Sequence, residues 1–462
     1  NTNTDFDLRS FSLSVLVNIA HSSDPNRLAL LEMNLLTGII PALADEKLYP
    51  TGIRLLANMA QSSNELTAAF EKVNSLVPTF VSGLLAFIMT NVGKFFEGPK
   101  NPQEGGFTEE EKEEKSQLES LLEFSAFFLT RALLSVEGDW IQELVTQRDD
   151  ITLALSDLWE RTVPSDLSPH AGECLVAMAK KETHNDAMVK AGLLKAVERI
   201  LRGNPVDPMA GRNDAQTEQA AQLLALLPLN DKVMQESVDK VLNLMELTLP
   251  LKEVEGTHRW VLMGLGNLCR SDANVEATLA RGWAPRVVGL IAQHEEVVMA
   301  RVSMGVVANI GRRPVGARAL LEAGLMPPLV HRMRHKDAMT QMKASEALAI
   351  ICRHDFMEAP LLAAIMSELG DGEPTHAMAT LLLMCVQRMA SVREALTTNA
   401  AYRQQLEAAK EAPGVANDLK MILEACLRKS ENGMKKETEK EAAAAGAAGE
   451  DDKRGGHGEE KA

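Results

Sequence analysis

The sequence predicts an all-α fold built from repeats of about forty residues, and three observations predict it. The first is composition. Of 462 residues, 45% are hydrophobic but only 4% aromatic, and Leu, Ala, Met and Glu are abundant, so the core is aliphatic and rich in helix formers. No stretch shows the alternating Val, Ile and Thr pattern with regular turns that strands require.

The second observation is a recurring apolar segment with a central Asn. It reads LVNIA around Asn18, LANMA around Asn58, LGNLC around Asn267 and VANIG around Asn309, with spacings of 40 and 42 within the pairs. LAIIC places Ile350 in the same position 41 residues after Asn309, LVAMA places Ala177 there, and AQLLALL is centred near Ala225. The third is a Gly-x-x-Pro spacing in phase with the first landmark, in Gly38 to Pro41, Gly282 to Pro285 and Gly324 to Pro327. Gly192, Gly282 and Gly324 each lie 15 residues after Ala177, Asn267 and Asn309. A Gly closes one helix in a left-handed turn and a Pro opens the next, so each repeat contains at least two helices meeting at a corner.

In chain order, residues 1–92 read as N-terminal repeats, 93–117 as an acidic insertion loop containing Gly and Pro, 118–429 as further repeats and 430–462 as a disordered charged tail. Phe11 to Ala20 resembles the last helix of a repeat, so more sequence is expected upstream. The EEEKEEK run reads as the exposed first turns of the following helix, where carboxylates suit the positive end of the dipole, and as a solvated face in preference to a docking motif. A polar interruption from Arg202 to Thr217 lengthens one connection between helices.

The period near 42, the GxxPxLV corner and the Asn-bearing helix together resemble armadillo repeats, most clearly over residues 257–353. That resemblance implies a right-handed armadillo-like superhelical solenoid of three-helix repeats whose third helices line a concave groove. It also implies a non-catalytic scaffold or adaptor that binds a partner protein segment. Nuclear import adaptors of that family carry Trp four residues before the groove Asn. Here Ser14, Arg54, Met263 and Gly305 stand there, so a basic import signal is not the expected ligand. A weaker resemblance, to UCS-domain myosin chaperones, implies a folding helper for myosin or a similar client.

Positions three, four and seven apart share a helix face, which groups Trp260, Met263 and Arg270 with Asn267, and Val302, Gly305 and Arg312 with Asn309. Lys343 and Arg353 join Ile350 in the same way. The expected partner-binding residues are therefore Asn18, Asn58, Trp260, Asn267, Arg270, Asn309, Arg312, Lys343 and Arg353. A primary amide can pair with the backbone of an extended peptide, and a guanidinium can fork onto a carboxylate. The competing reading has the Asn residues closing inter-helix hydrogen bonds, the cations complementing helix C-termini and Trp260 packed between repeats. Residues 301–353 hold nine Lys or Arg against Glu322, Asp337 and Glu346 in a chain of net charge -16, so an acidic segment is the expected ligand. Net charge and scarce aromatics disfavour nucleic acid.

No phosphate loop, nucleophile elbow, CxxC pair or HExxH helix occurs, and His331 and His335 lack further ligands at metal spacing, so neither catalysis nor a cofactor or metal is expected. The five scattered cysteines read as buried hydrophobes in a reducing compartment, cytoplasmic or nuclear. The longest apolar run, Leu76 to Val92, is too short and too interrupted for membrane insertion.

Overall fold

A computed structural model describes residues 2–33, 35, 38–39, 47–60, 77–99, 106–134, 149–161, 167–203, 213–250, 256–293, 296–354, 358–371, 376–412, 415–417 and 419–432. All regular structure among these residues is helical. The chain divides into two compact units, residues 1–264 and 265–462.

In the first unit α1 (Thr2–Ser22) is followed by α2 (Asp24–Glu32), α3 (Tyr49–Ala60), α4 (Val77–Phe95), α5 (Glu109–Leu134) and α6 (Asp149–Arg161). Then come α7 (Leu167–Ala179), α8 (Asn185–Lys190), α9 (Leu193–Arg202), α10 (Asp214–Leu226), α11 (Asp231–Thr248) and α12 (Thr257–Leu268), whose last residues enter the second unit. The second unit continues with α13 (Asp272–Ala280), α14 (Trp283–Gln293) and α15 (Val297–Gly311), then α16 (Pro314–Glu322), α17 (Met326–His331) and α18 (Ala338–Ile351). It closes with α19 (Glu358–Asp371), α20 (His376–Arg388), α21 (Ala390–Thr398), α22 (Ala400–Glu411) and a last helix over 419–432.

Three helices per repeat are plain in α13 to α15 and in α16 to α18, each with two short helices before a long third one. The fold is all-α and armadillo-like. Elsewhere the pattern is degenerate: α11 is one helix of 18 residues where the repeat before it has the short pair α8 and α9.

The corners form where the sequence places them. Gly192, Gly282 and Gly324 have φ of 99°, 72° and 84°, and their amides donate to Val189, Leu279 and Leu321, each three residues back, at 2.9 to 3.0 Å. Gly38 differs, since its backbone is helical, while Pro41 lies outside the described residues. Around the acidic segment, α4 runs to Phe95 and the EEEKEEK run forms the start of α5. Thr108 and Glu111 close that helix start reciprocally: Thr108 N donates to Glu111 Oε2 at 2.8 Å and Glu111 N to Thr108 Oγ1 at 3.2 Å. Arg161 stacks 3.8 Å above the Phe96 ring and Lys115 lies 4.6 Å from the Phe107 ring centre. At the far end Ser430 is buried within a helix, and the expected disorder of 433–462 concerns residues outside those described.

Packing between repeats is close at a few glycines. A Cβ on Gly264 would stand 2.5 Å from Met245 Cε and 2.8 Å from the Leu224 carbonyl, whereas a Cβ on Gly282 or on the helical Gly305 would meet nothing within 4 Å. The three positions therefore respond differently to alanine. Gly264→Ala should cost about 1–3 kcal/mol by overpacking. Gly282→Ala should cost about 1–2 kcal/mol through its left-handed backbone alone, and Gly305→Ala should gain up to about 1 kcal/mol from helix propensity. Urea unfolding of the three variants checks that order.

Candidate functional site

A helix leaves the carbonyls of its last turn without backbone partners. In this chain, side chains from neighbouring helices fill that need repeatedly. Asn309 Nδ2 donates to Gly266 O at 2.8 Å, His354 Nε2 to Gly311 O at 3.1 Å and Arg332 Nη2 to Ile291 O at 2.5 Å. Asn274 donates to Leu268 O, Asn26 to Ile19 O and Asn185 to Leu226 O, at 3.1, 3.4 and 3.0 Å. Asn26 and Asn274 each sit three residues after a serine, Ser23 or Ser271, that caps the same helix start. The serine fixes where the next helix begins, and the asparagine ties that start to the end of the helix before it.

The sequence-predicted residues fall into two groups. In the first unit, Asn18 is exposed on α1, while Asn58 is half-buried and donates through Nδ2 to Val17 O at 3.1 Å. Asn58 and Arg54 line a cleft of about 290 Å³ with Val17, Ser116, Gln117, Ser120 and Phe124. Arg54, which the sequence reading left out of the site, also lines a neighbouring cleft of about 350 Å³ with Asn91 and Glu114. Trp260 is half-buried. Its Nε1 donates to Glu218 Oε1 at 3.1 Å and the Arg259 guanidinium lies 5.0 Å from its ring centre.

In the second unit, Asn267 and Asn309 are half-buried, and Arg270, Arg312 and Arg353 are exposed, each just beyond a third helix. Arg312 Nη2 donates to Asn309 Oδ1 at 3.3 Å, so the asparagine that ties α15 to α12 also orients an arginine. Asn309 ties α15 to the end of α12, and His354, just beyond α18, ties to the end of α15, so Arg270, Arg312 and Arg353 each follow a helix end that one of these bonds holds or closely flanks. Along α15 the exposed positions run Val298, Arg301, Gly305 and Arg312, with Val302 and Asn309 partly covered. Along α18 they run Met339, Met342, Glu346, Ala349 and Arg353. α18 presents Met339 and Met342 near its start and Arg353 beyond its end, while α15 presents Val298 and Arg301 near its start and Arg312 just beyond its end. The two methionines were legible as a helical i, i+3 pair but fell outside the stripe counted back from Ile350.

The charge excess of residues 301–353 is smaller in the structure than in the count, because Asp272 and Glu368 from outside the segment join Asp337 and Glu346, already counted within it, as partners of its cations. Arg301 pairs with Asp337 at 2.6 Å, Arg334 with Glu368 at 3.2 Å, Lys343 with Glu346 at 2.7 Å, and Arg313 with Asp272. Arg301 and Thr340 hold the Asp337 carboxyl far below the usual carboxylate range. Arg332 is buried on a carbonyl. The sequence reading missed these partners because they stand 34 to 41 residues away, except for Glu346, three residues from Lys343.

Burial pushes the thiols of Cys352, Cys385 and Cys426 up to about 12, Cys174 likewise and Cys269 to about 11, so the nucleophilic thiolate form is suppressed in all five cysteines. Among the described residues, no group of three or more His, Cys, Asp or Glu could hold a metal. No helix among them is long and apolar enough to cross a membrane.

Fold and face together define the class, a helical-repeat protein of armadillo-like kind. Neither a family model nor a curated protein matches the sequence. Among solved structures, an engineered protein is similar over 92% of this chain and 95% of its own, at 16% identity and a TM-score of 0.58. At that identity the likeness is one of fold alone. A designed armadillo repeat protein is similar over 57% of this chain and 99% of its own, at 15% identity and a TM-score of 0.44. Another, in complex with the peptide (KR)4, covers 51% of this chain and 94% of its own, at 16% identity and a TM-score of 0.42. The weaker resemblance to UCS-domain chaperones has no counterpart among these structures.

The asparagine ties can be separated from the arginine row by stability. Asn309→Leu leaves the Gly266 carbonyl without its donor and should cost about 1–3 kcal/mol. Arg312→Ala, at an exposed position, should stay within about 0.5 kcal/mol of the parent. Thermal and urea unfolding of the two variants measures the difference.

Proposed function

We propose that this chain is a non-catalytic scaffold or adaptor, and that the third helices of its second unit bind an acidic segment of a partner protein. Arg270, Arg312 and Arg353 receive the carboxylates, Lys343 flanks them, and Asn267 and Asn309 hold the row in place. The observation that carries the reading is a recurrence: three exposed guanidinium groups at one position in successive repeats, beside Arg301, Arg313 and Arg334, which are engaged by carboxylates. Guanidinium is the cation suited to forked pairing with a carboxylate.

Spacing narrows the ligand. A polyproline II segment turns once every three residues and advances about 9 Å per turn, close to one helix-to-helix step. Carboxylates at every third position of an extended segment would therefore meet successive arginines. Met339 and Met342, unbranched and adaptable, offer an apolar floor at the other end of the face. Asn18, Asn58 and Trp260 belong to the first unit; the Asn58 amide and the Trp260 ring nitrogen are already engaged there, which makes them supports of that unit's face.

A labelled peptide of repeated Glu-Pro-Pro is the probe, with repeated Lys-Pro-Pro as the control. The acidic peptide should bind, weaken as salt rises, and lose affinity about tenfold when all three arginines are reversed to Glu, since exposed ion pairs contribute about 0.2–1 kcal/mol each. Helix content and melting should stay unchanged. Equal binding of both peptides, or a triple variant that unfolds, would show that the arginines are not the ligand site.

A further inference from the structure

In the first unit Arg54 stands exposed on α3, and among the described residues no hydrogen bond or ion pair engages it. Other cations of that unit are engaged: Arg27 pairs with Asp24, Lys112 with Glu109, and Lys115 and Arg161 lie over Phe107 and Phe96. Two clefts meet at Arg54 and Gln117. They follow one another between α3 and α5. The cleft of about 290 Å³ reaches Asn58 near the end of α3, and that of about 350 Å³ reaches Pro50 and Thr51 at its start.

The two clefts differ in chemistry. The first is lined by no carboxylate. Asn58 gives an N–H to Val17 O at 3.1 Å and Gln117 gives one to Glu113 Oε1 at 3.3 Å. A primary amide carries two N–H groups, so each keeps a second one. The Ser116 hydroxyl makes no hydrogen bond among the described residues. With the guanidinium these are donors for an anion, and one positive charge matches one carboxylate better than a phosphate, which carries nearly two negative charges. The second cleft is walled by Phe87, Leu118 and Leu121, and the Phe87 ring is held by stacking on Tyr49 at 4.7 Å. The exposed Glu114 also lines it and repels an acid placed there.

We propose that the paired clefts bind a short extended segment of a partner protein that carries one acidic and one aromatic side chain two positions apart. The carboxylate sits on Arg54 beside Asn58, and the aromatic ring lies against Phe87 and Leu118. The separation fits: the clefts are offset by about four residues of α3, or roughly 6 Å, and side chains on one face of an extended chain recur about every 6.6 Å. The segment therefore runs lengthwise between α3 and α5, unlike the ligand proposed for the second unit, which crosses successive helices. This site does not depend on Arg270, Arg312 or Arg353.

The probe is a fluorescein-labelled peptide with a Glu-Ala-Phe core between Gly-Ser flanks, and Phe-Ala-Glu tests the opposite chain direction. One of the two should bind the whole chain in a fluorescence anisotropy titration. Replacing Glu by Gln in that core should weaken binding about fivefold, and replacing Phe by Ala about tenfold. Arg54→Gln should lose the same factor as the Gln peptide, with far-UV circular dichroism and melting unchanged. Arg54→Glu should shift preference to a core with Lys in place of Glu. Joint reversal of Arg270, Arg312 and Arg353 to Glu should leave the affinity as it was, which separates this site from the one in the second unit. Failure of both peptides to bind, parental affinity in Arg54→Gln, or loss of binding in the joint reversal would each overturn the proposal. So would N-acetylphenylalanine competing as strongly as the peptide, since the clefts would then be a small-molecule pocket.

Discussion

The structure depends on what happens to the last-turn carbonyls of its helices. Each such oxygen must find a donor or stay in water, and here the donors come from neighbouring helices: Asn309 on Gly266, Asn274 on Leu268, Arg332 on Ile291, Arg393 on Val386 and Arg27 on Ala20. A hydrophobic interface tolerates sliding because apolar contact has no direction. A hydrogen bond to one carbonyl does not. The aliphatic core therefore supplies cohesion, while these ties fix register, which is why repeats of such low aromatic content stay in phase.

The corners act on the same problem from the other side. A left-handed glycine at 192, 282 and 324 turns the chain sharply with no Cβ penalty, and space around each is open, so backbone conformation alone restricts these positions. Where packing is the constraint, the glycines lie within helices. Gly264 meets Met245 and the Leu224 backbone, and Gly311 meets Ile351. Two kinds of glycine thus do different jobs at fixed places in the repeat: the corner glycines turn the chain, and Gly311 lets α18 approach α15 closely.

Much of this was legible in the residues. The Asn landmark, the constant offset to Gly192, Gly282 and Gly324, and the aliphatic composition led to the helical repeats because each reflects a local rule acting within one repeat. The use of the Asn landmark was not legible, since an amide that can hold a peptide can equally hold a helix end; only the position of the Val17 and Gly266 carbonyls decides where Asn58 and Asn309 place their protons. The charge count misled for a related reason, because Asp272 and Glu368, outside the counted segment, pair with Arg313 and Arg334. Gly38 carried the Gly-x-x-Pro spacing yet remained helical, whereas Gly192 turns left-handed with Lys195 in place of the proline, so that spacing is neither necessary nor sufficient for a corner.

The sharing of labour at Asn309 has a consequence for any ligand. Its amide nitrogen holds α12 while its oxygen receives Arg312, so the guanidinium is presented by the same residue that keeps two repeats in register. A ligand that pulls on Arg312 acts on that joint, and a ligand that spans several repeats acts on several joints at once. Individual exposed ion pairs are weak, so selectivity cannot come from any one of them. In the proposed complex it comes from the spacing of the repeats, and a segment whose charges are out of step with that spacing must give up pairs or strain the stack to recover them.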